Sequence, residues 1–131
     1  MQIGVLTGGG DCGGLNATIR AVVIRAARSG HTVVGVQDGW KGMVEGRGAP
    51  LSVRDVASIV GLGGTILGSS RTNPEKTPNG FERVAQSCQT LGLDALVAIG
   101  GDDTLGVAAK LAARGGHVVG VPKTMDNDVN G

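Results

Sequence analysis

A chain of 131 residues, 40% apolar and 18% charged, has the length and makeup of one globular domain with a real core. Its formal charge of +1, with signs mixed along the chain, argues against a nucleic-acid groove or a charged membrane-surface patch, and no apolar run approaches the ~18–20 residues of a bilayer span. Two cysteines, Cys12 and Cys88, make neither a disulfide framework nor a metal-ligand spacing.

Ile3–Leu6 reads as a short buried strand. It is entered directly from Met1, without the basic and apolar regions of a secretory leader, so a cytoplasmic protein is expected. A glycine loop over 7–14 follows. Apolar residues at 15, 19, 22, 23 and 26 predict an amphipathic helix from Leu15 to Ala27, with Asn16 helping to cap its start and Ser29-Gly30 ending it. Thr32–Val36 is a second strand, which completes a βαβ unit. Gly39, Gly42, Gly46 and Gly48 make Gln37–Pro50 loop-like. A short helix starts at Ser52, carries Asp55 in its first turn and runs to about Val60. Gly61–Arg71 is a second glycine-rich loop, and Pro74 and Pro78 mark Asn73–Gly80 as a turn region. Phe81–Leu91 is helical, Ala95–Ile99 a third clear strand, Gly100–Asp103 a turn and Thr104–Arg114 a helix rich in Ala and Leu. His117–Val121 is a fourth strand, and an acidic turn follows it.

Short apolar strands alternating with helices indicate an α/β fold with a mainly parallel sheet and flanking helices. In such folds ligands bind outside the carboxyl ends of the strands. The loops at 7–14, 100–104 and 122–128 all follow strands, so they should share one edge of the sheet, and the 61–71 loop could join them. Nothing marks a second domain within the chain. Glycine, 25 of 131 residues, clusters beside apolar segments, where it lets backbone N–H groups approach a ligand closely. Trp40 and Phe81 are the only aromatics, which leaves little for recognition by stacking.

Four motifs carry candidate chemistry. Gly8, Gly10 and Gly13 fit G-x-G-x-x-G between a strand and a helix, a spacing that can seat phosphate at a helix N-terminus. With Asp38 at the end of the second strand, the same glycines would also suit an NAD-binding oxidoreductase domain, or a tight βα turn without a ligand. Gly64–Arg71 offers hydroxyls and a guanidinium suited to phosphate, or a flexible surface loop with a solvated arginine. Gly100-Gly101-Asp102-Asp103-Thr104 can admit a phosphate chain with a carboxylate for Mg²⁺, or can simply complement a helix dipole. Asp126 and Asp128 could act as base and electrostatic partner or as paired metal ligands, and Asn and Asp also favour turns for local reasons. Lys123 is a phosphate contact or a solvated charge. His31 and His117 read as structural or solvated, Cys12 as a small filler rather than a nucleophile, and Cys88 as packed within its helix.

In this order the motifs resemble the 6-phosphofructokinase family. Thr7-Gly8-Gly9-Gly10-Asp11 with Leu15-Asn16-Ala17 is similar to its first loop and helix, and Gly63-Gly64-Thr65 with Gly68-Ser69-Ser70-Arg71 to its second loop. Gly100-Gly101-Asp102 resembles its Mg-phosphate turn and Thr124-Met125-Asp126-Asn127-Asp128 its catalytic turn. Gly13 stands where the family commonly has Pro, and Met125 where it commonly has Ile. The resemblance implies a Rossmann-like N-terminal domain and phosphorylation of fructose 6-phosphate at its 1-hydroxyl. It implies Asp126 as general base, Asp128 as support for the developing charge and the metal, and Asp102 as holder of Mg²⁺. Gly10, Arg71 and Thr124 would contact the transferred phosphoryl group or its donor.

Asp103 and Lys123 stand where ATP-using members typically carry Gly, and this pair resembles the pyrophosphate-dependent branch, with ATP as the alternative donor. A carboxylate at 103 adds bulk and charge where the α-phosphate of ATP would pass, and Lys123 supplies a cation for compact pyrophosphate. Some family members with lysine at this position use ATP. The family chain is well over twice as long. The expectation is therefore a truncated donor-phosphate domain over 1–131, inactive alone, lacking the sugar-phosphate-binding remainder. The full-length protein is expected to be a homo-oligomer, with no nucleic-acid or membrane partner.

Overall fold

The computed structural model describes residues 1–8, 14–57 and 65–122. Along them run β1 (Gln2–Thr7), α1 (Gly14–Arg28), β2 (Thr32–Val36), α2 (Trp40–Glu45), β3 (Gly48–Pro50) and α3 (Val53–Val56). A single 3-10 turn (Pro74–Lys76) precedes α4 (Gly80–Thr90), β4 (Ala95–Gly100), α5 (Asp102–Ala113) and β5 (Val118–Pro122). The sheet order is β3-β2-β1-β4-β5. Strands β1, β2, β4 and β5 are parallel, and β3 joins β2 antiparallel at one edge. This is the expected α/β fold with a mainly parallel sheet and flanking helices.

Successive side chains of a strand point to opposite faces. Val5 and Ile99 accordingly enter one core cluster, while Leu6, Leu96 and Ala98 enter the other. On the first face α1 lays down Leu15, Ile19, Val23 and Ala26, one helical turn apart. Each such Leu, Ile or Val contributes about 1.5–3 kcal/mol when fully buried. On the second face Val84 of α4 and Val107, Ala108 and Leu111 of α5 pack with Trp40 and Met43 of α2. Among the described residues no helix is long and apolar enough to cross a membrane.

The structure corrects two local expectations. Gln37–Pro50 is not a loop: it holds α2 and β3. Its glycines terminate and fit elements rather than abolishing them. Gly46 caps α2 in the left-handed region, at φ 75°, and Trp40 and Met43 are buried at 4% and 0% exposure. Pro50 sits on the edge strand, where a missing N–H costs least. Second, α5 begins at Asp102 rather than Thr104, so both aspartates lie in its first turn. Asn16, expected to help cap α1, lies in its first turn, and its Oδ1 accepts the Ile66 N–H at 2.8 Å; the residues that α1 follows, 9–13, lie outside the described residues. At Ser52 the expected helix start is a full capping box. The Ser52 N–H donates to Asp55 Oδ2 at 2.8 Å and the Asp55 N–H to Ser52 Oγ at 3.3 Å. The predicted end of that helix, 58–60, lies outside the described residues.

Candidate functional site

Parallel strands that start at one edge of a sheet must also end at one edge. Thr7 of β1 is registered with Ile99 of β4, and Gly100 of β4 with Pro122 of β5. Neighbouring strands lie about 4.8 Å apart. The sequence-distant segments that begin at Gly8 and Gly101 therefore leave the sheet side by side, at the end where β5 also finishes. The contact between the first two is tight. Gly8 N–H donates to Ile99 O at 2.9 Å, and a Cβ added at Gly8 would lie 2.2 Å from Thr104 Oγ1. Only glycine fits there, because Thr104 is itself buried at 5% exposure.

Beside this junction opens a cleft of about 880 Å³. One wall is Gly101, Asp102, Asp103 and Thr104 at the start of α5, with Val107 one turn on. The other wall is the run Ser69–Asn73 with Lys76, and Trp40 also lines the cleft. Arg71, Asp102, Asp103 and Lys76 are exposed, so two cations and two carboxylates face the same solvent-filled space. Glu75 and Lys110 form an ion pair that ties the 3-10 turn to α5. Asn73 Oδ1 accepts the Glu75 N–H at 2.8 Å and fixes the start of that turn.

Of the residues singled out from the sequence, Arg71, Asp102 and Asp103 are thus brought together, although 31 positions separate the first two. Of the 61–71 loop, Ser69, Ser70 and Arg71 line the cleft, and 61–64 lie outside the described residues. Gly10, Lys123, Thr124, Asp126 and Asp128 lie outside the described residues. Asp38, the acidic residue of the dinucleotide reading, is ion-paired with Arg47 at 3.0 Å. Sequence reasoning missed Trp40, Thr72, Asn73 and Lys76 as lining residues. Trp40 carried a signal, being the one indole in a glycine-rich segment; for Lys76 there was none.

Two donors in lining residues, Trp40 Nε1 and Ser70 Oγ, are buried without a hydrogen-bond partner among the described residues. Leaving such a group unpaired costs about 1–3 kcal/mol, and rotation of the Ser70 side chain would offer its hydroxyl to an anionic oxygen. Among the described residues no three His, Cys, Asp or Glu side chains gather into a metal cage. The two carboxylates of α5 suit Mg²⁺, which is commonly held by one or two carboxylates together with waters and substrate phosphates. The arrangement can seat a phosphate chain between a guanidinium and a carboxylate-bound cation.

Residues 2–131 match the family described as phosphofructokinase. A pyrophosphate–fructose 6-phosphate 1-phosphotransferase of Amycolatopsis methanolica is 56% identical over 98% of this chain and 38% of its own length. An ATP-dependent 6-phosphofructokinase 3 of Streptomyces coelicolor is 52% identical over 98% of this chain and 38% of its own length. Phosphofructokinase from Pichia pastoris, in a crystal structure of its T-state, superposes with a TM-score of 0.87 at 27% identity, over 95% of this chain and 16% of that one. The chain spans 38% of the length of the two sequence relatives.

Proposed function

The chain belongs to the phosphofructokinase family, and on that premise we propose that its cleft is the phosphoryl-donor site of a pyrophosphate-dependent, reversible fructose-6-phosphate 1-phosphotransferase. The observation that carries the donor choice is Asp103, an exposed carboxylate on the cleft wall directly after Asp102. The third phosphate of ATP, beyond the transferred group and its leaving phosphate, would meet that charge; pyrophosphate would end before it.

Phosphoryl transfer asks a protein mainly for positioning and charge neutralisation. Arg71 would grip donor oxygens in paired charge-assisted hydrogen bonds. Asp102 would hold Mg²⁺, which supplies charge neutralisation on the phosphates when bound. Gly10 and Thr124 would contact the transferred group, and Lys123 would add a cation for a compact donor. Asp126 would take the proton of the sugar 1-hydroxyl, with Asp128 supporting the developing charge. The sugar-phosphate site would be supplied by sequence beyond the donor domain of residues 1–131, in a cytoplasmic, glycolytic homo-oligomer. The 131-residue chain alone is then inactive.

Assaying the protein from its complete reading frame with Mg²⁺, fructose 6-phosphate and either donor tests the reading. Preference for pyrophosphate is expected. Strong preference for ATP, the donor in the name of the Streptomyces relative, would replace it. Robust turnover by the 131-residue chain alone would overturn the claim of inactivity.

A further inference from the structure

The turn ahead of Arg71 has its polar groups taken up by three separate elements. Thr7, the last residue of β1, is fully buried, and its Oγ1 donates to Gly68 O at 2.8 Å. A hydroxyl has one hydrogen. With it committed to Gly68, the 2.8 Å contact between Thr7 Oγ1 and Thr65 Oγ1 runs the other way, Thr65 donating. Thr65 Oγ1 in turn accepts the Leu67 N–H at 3.1 Å. From α1, the fully buried Asn16 accepts the Ile66 N–H at 2.8 Å. From the end of β2, the Asp38 N–H donates to Leu67 O at 2.8 Å. The Leu67 side chain, 2% exposed, is set into the α1-face core.

Arg71 follows three residues after this turn and is itself exposed. Its side chain is not packed in place, so what fixes its approach to the cleft is the backbone that carries it. We propose that Thr7 and Asn16 are positioning residues for Arg71: their buried hydrogen bonds to the 65–68 turn hold the guanidinium limb of the cleft at its distance from Asp102. The inference rests on the donor-site reading of the cleft. A buried polar network of this kind is satisfied member by member, and removal of one group loosens the rest.

A double-mutant cycle decides it, read by calorimetric titration of the complete-reading-frame protein with magnesium pyrophosphate. Thr7→Val weakens binding about tenfold, within the range that coupled neighbours show. Thr7→Ser restores it to within about twofold, because the hydroxyl returns. In the Arg71→Ala background Thr7→Val has no further effect. Equal weakening by Thr7→Val with and without Arg71 would overturn the proposal, as would no weakening at all. If Arg71→Ala itself leaves binding unchanged, it is the donor-site reading that fails, and the proposal with it. Should Thr7→Val not fold, Thr65→Val runs the same cycle from a half-buried position.

Discussion

Replacing Asp103 by asparagine removes one negative charge from the cleft wall and keeps the side chain's shape. Asp103 stands in the first turn of α5 beside Asp102 and is exposed. A singly charged phosphate oxygen ~4 Å from a carboxylate is repelled by about 1 kcal/mol in bulk water and about 4 kcal/mol at an effective dielectric of ~20. Exposure puts Asp103 near the screened end, about 1–2 kcal/mol, or roughly 5- to 30-fold in affinity. The expected result is a rise of that size in kcat/KM for ATP, measured on the complete-reading-frame protein. Pyrophosphate, which on the proposed reading ends short of this carboxylate, should change less. Asp103→Gly should raise ATP use further, because bulk goes as well as charge. It should also lower Tm slightly, since the carboxylate complements the α5 N-terminus by about 0.3–1 kcal/mol. Raising the salt should shrink the Asn effect. If neither variant improves ATP use while both stay folded, the charge at 103 does not discriminate between donors.

Arg71→Ala should raise the KM for pyrophosphate about tenfold, equivalent to about 1.5 kcal/mol for a lost hydrogen bond to a charged group. Arg71→Lys should recover part of this, since it returns the charge without the planar fork; steady-state kinetics with pyrophosphate varied is the check. Met43→Ala should destabilise the chain by about 2–5 kcal/mol in a denaturant titration, because Met43 is fully buried; a loss under 1 kcal/mol would mean α2 is not core. The Ser52 backbone and hydroxyl hydrogen bonds hold the Asp55 carboxyl below its ordinary value. The folded state therefore favours its charged form, so its contribution is present above the ordinary carboxylate value and is lost as pH falls through the lowered one. Wild type should accordingly exceed Asp55→Asn in Tm at neutral pH, and the gap should close on acidification. A gap independent of pH would exclude the capping box as its cause.

Much of the architecture was legible because hydrophobic period is a local property. Leu15, Ile19, Val23 and Ala26 recur at helical spacing, and all four are buried under the sheet. The runs Val33–Val36 and Ala95–Gly100 carry no polar side chain, as strands covered on both faces require. The stretch 37–50 was misread because glycine count was taken as disorder of form. Gly46 ends a helix there whose stability comes from Trp40 and Met43 packing on α4 and the sheet, which no local pattern expresses.

The site divides in the same way. From the sequence came the candidate chemistry: glycines suited to phosphate, a guanidinium, adjacent carboxylates and the order of motifs, all of which are properties of residue type and spacing. Parallel strand order set the start of α5 beside the end of β1, and the hydrogen bonds that Thr7, Asn16 and Asp38 share with the 65–68 turn brought Arg71 to the same cleft as Asp102. The role of Asn16 was decided only by the fold. On its own helix it reads as a cap; in the structure its Oδ1 also accepts the Ile66 N–H, fifty residues away. A hydrogen bond between segments so distant in sequence leaves no periodic trace. It becomes visible only when burial has brought both groups out of water, where each must find a partner.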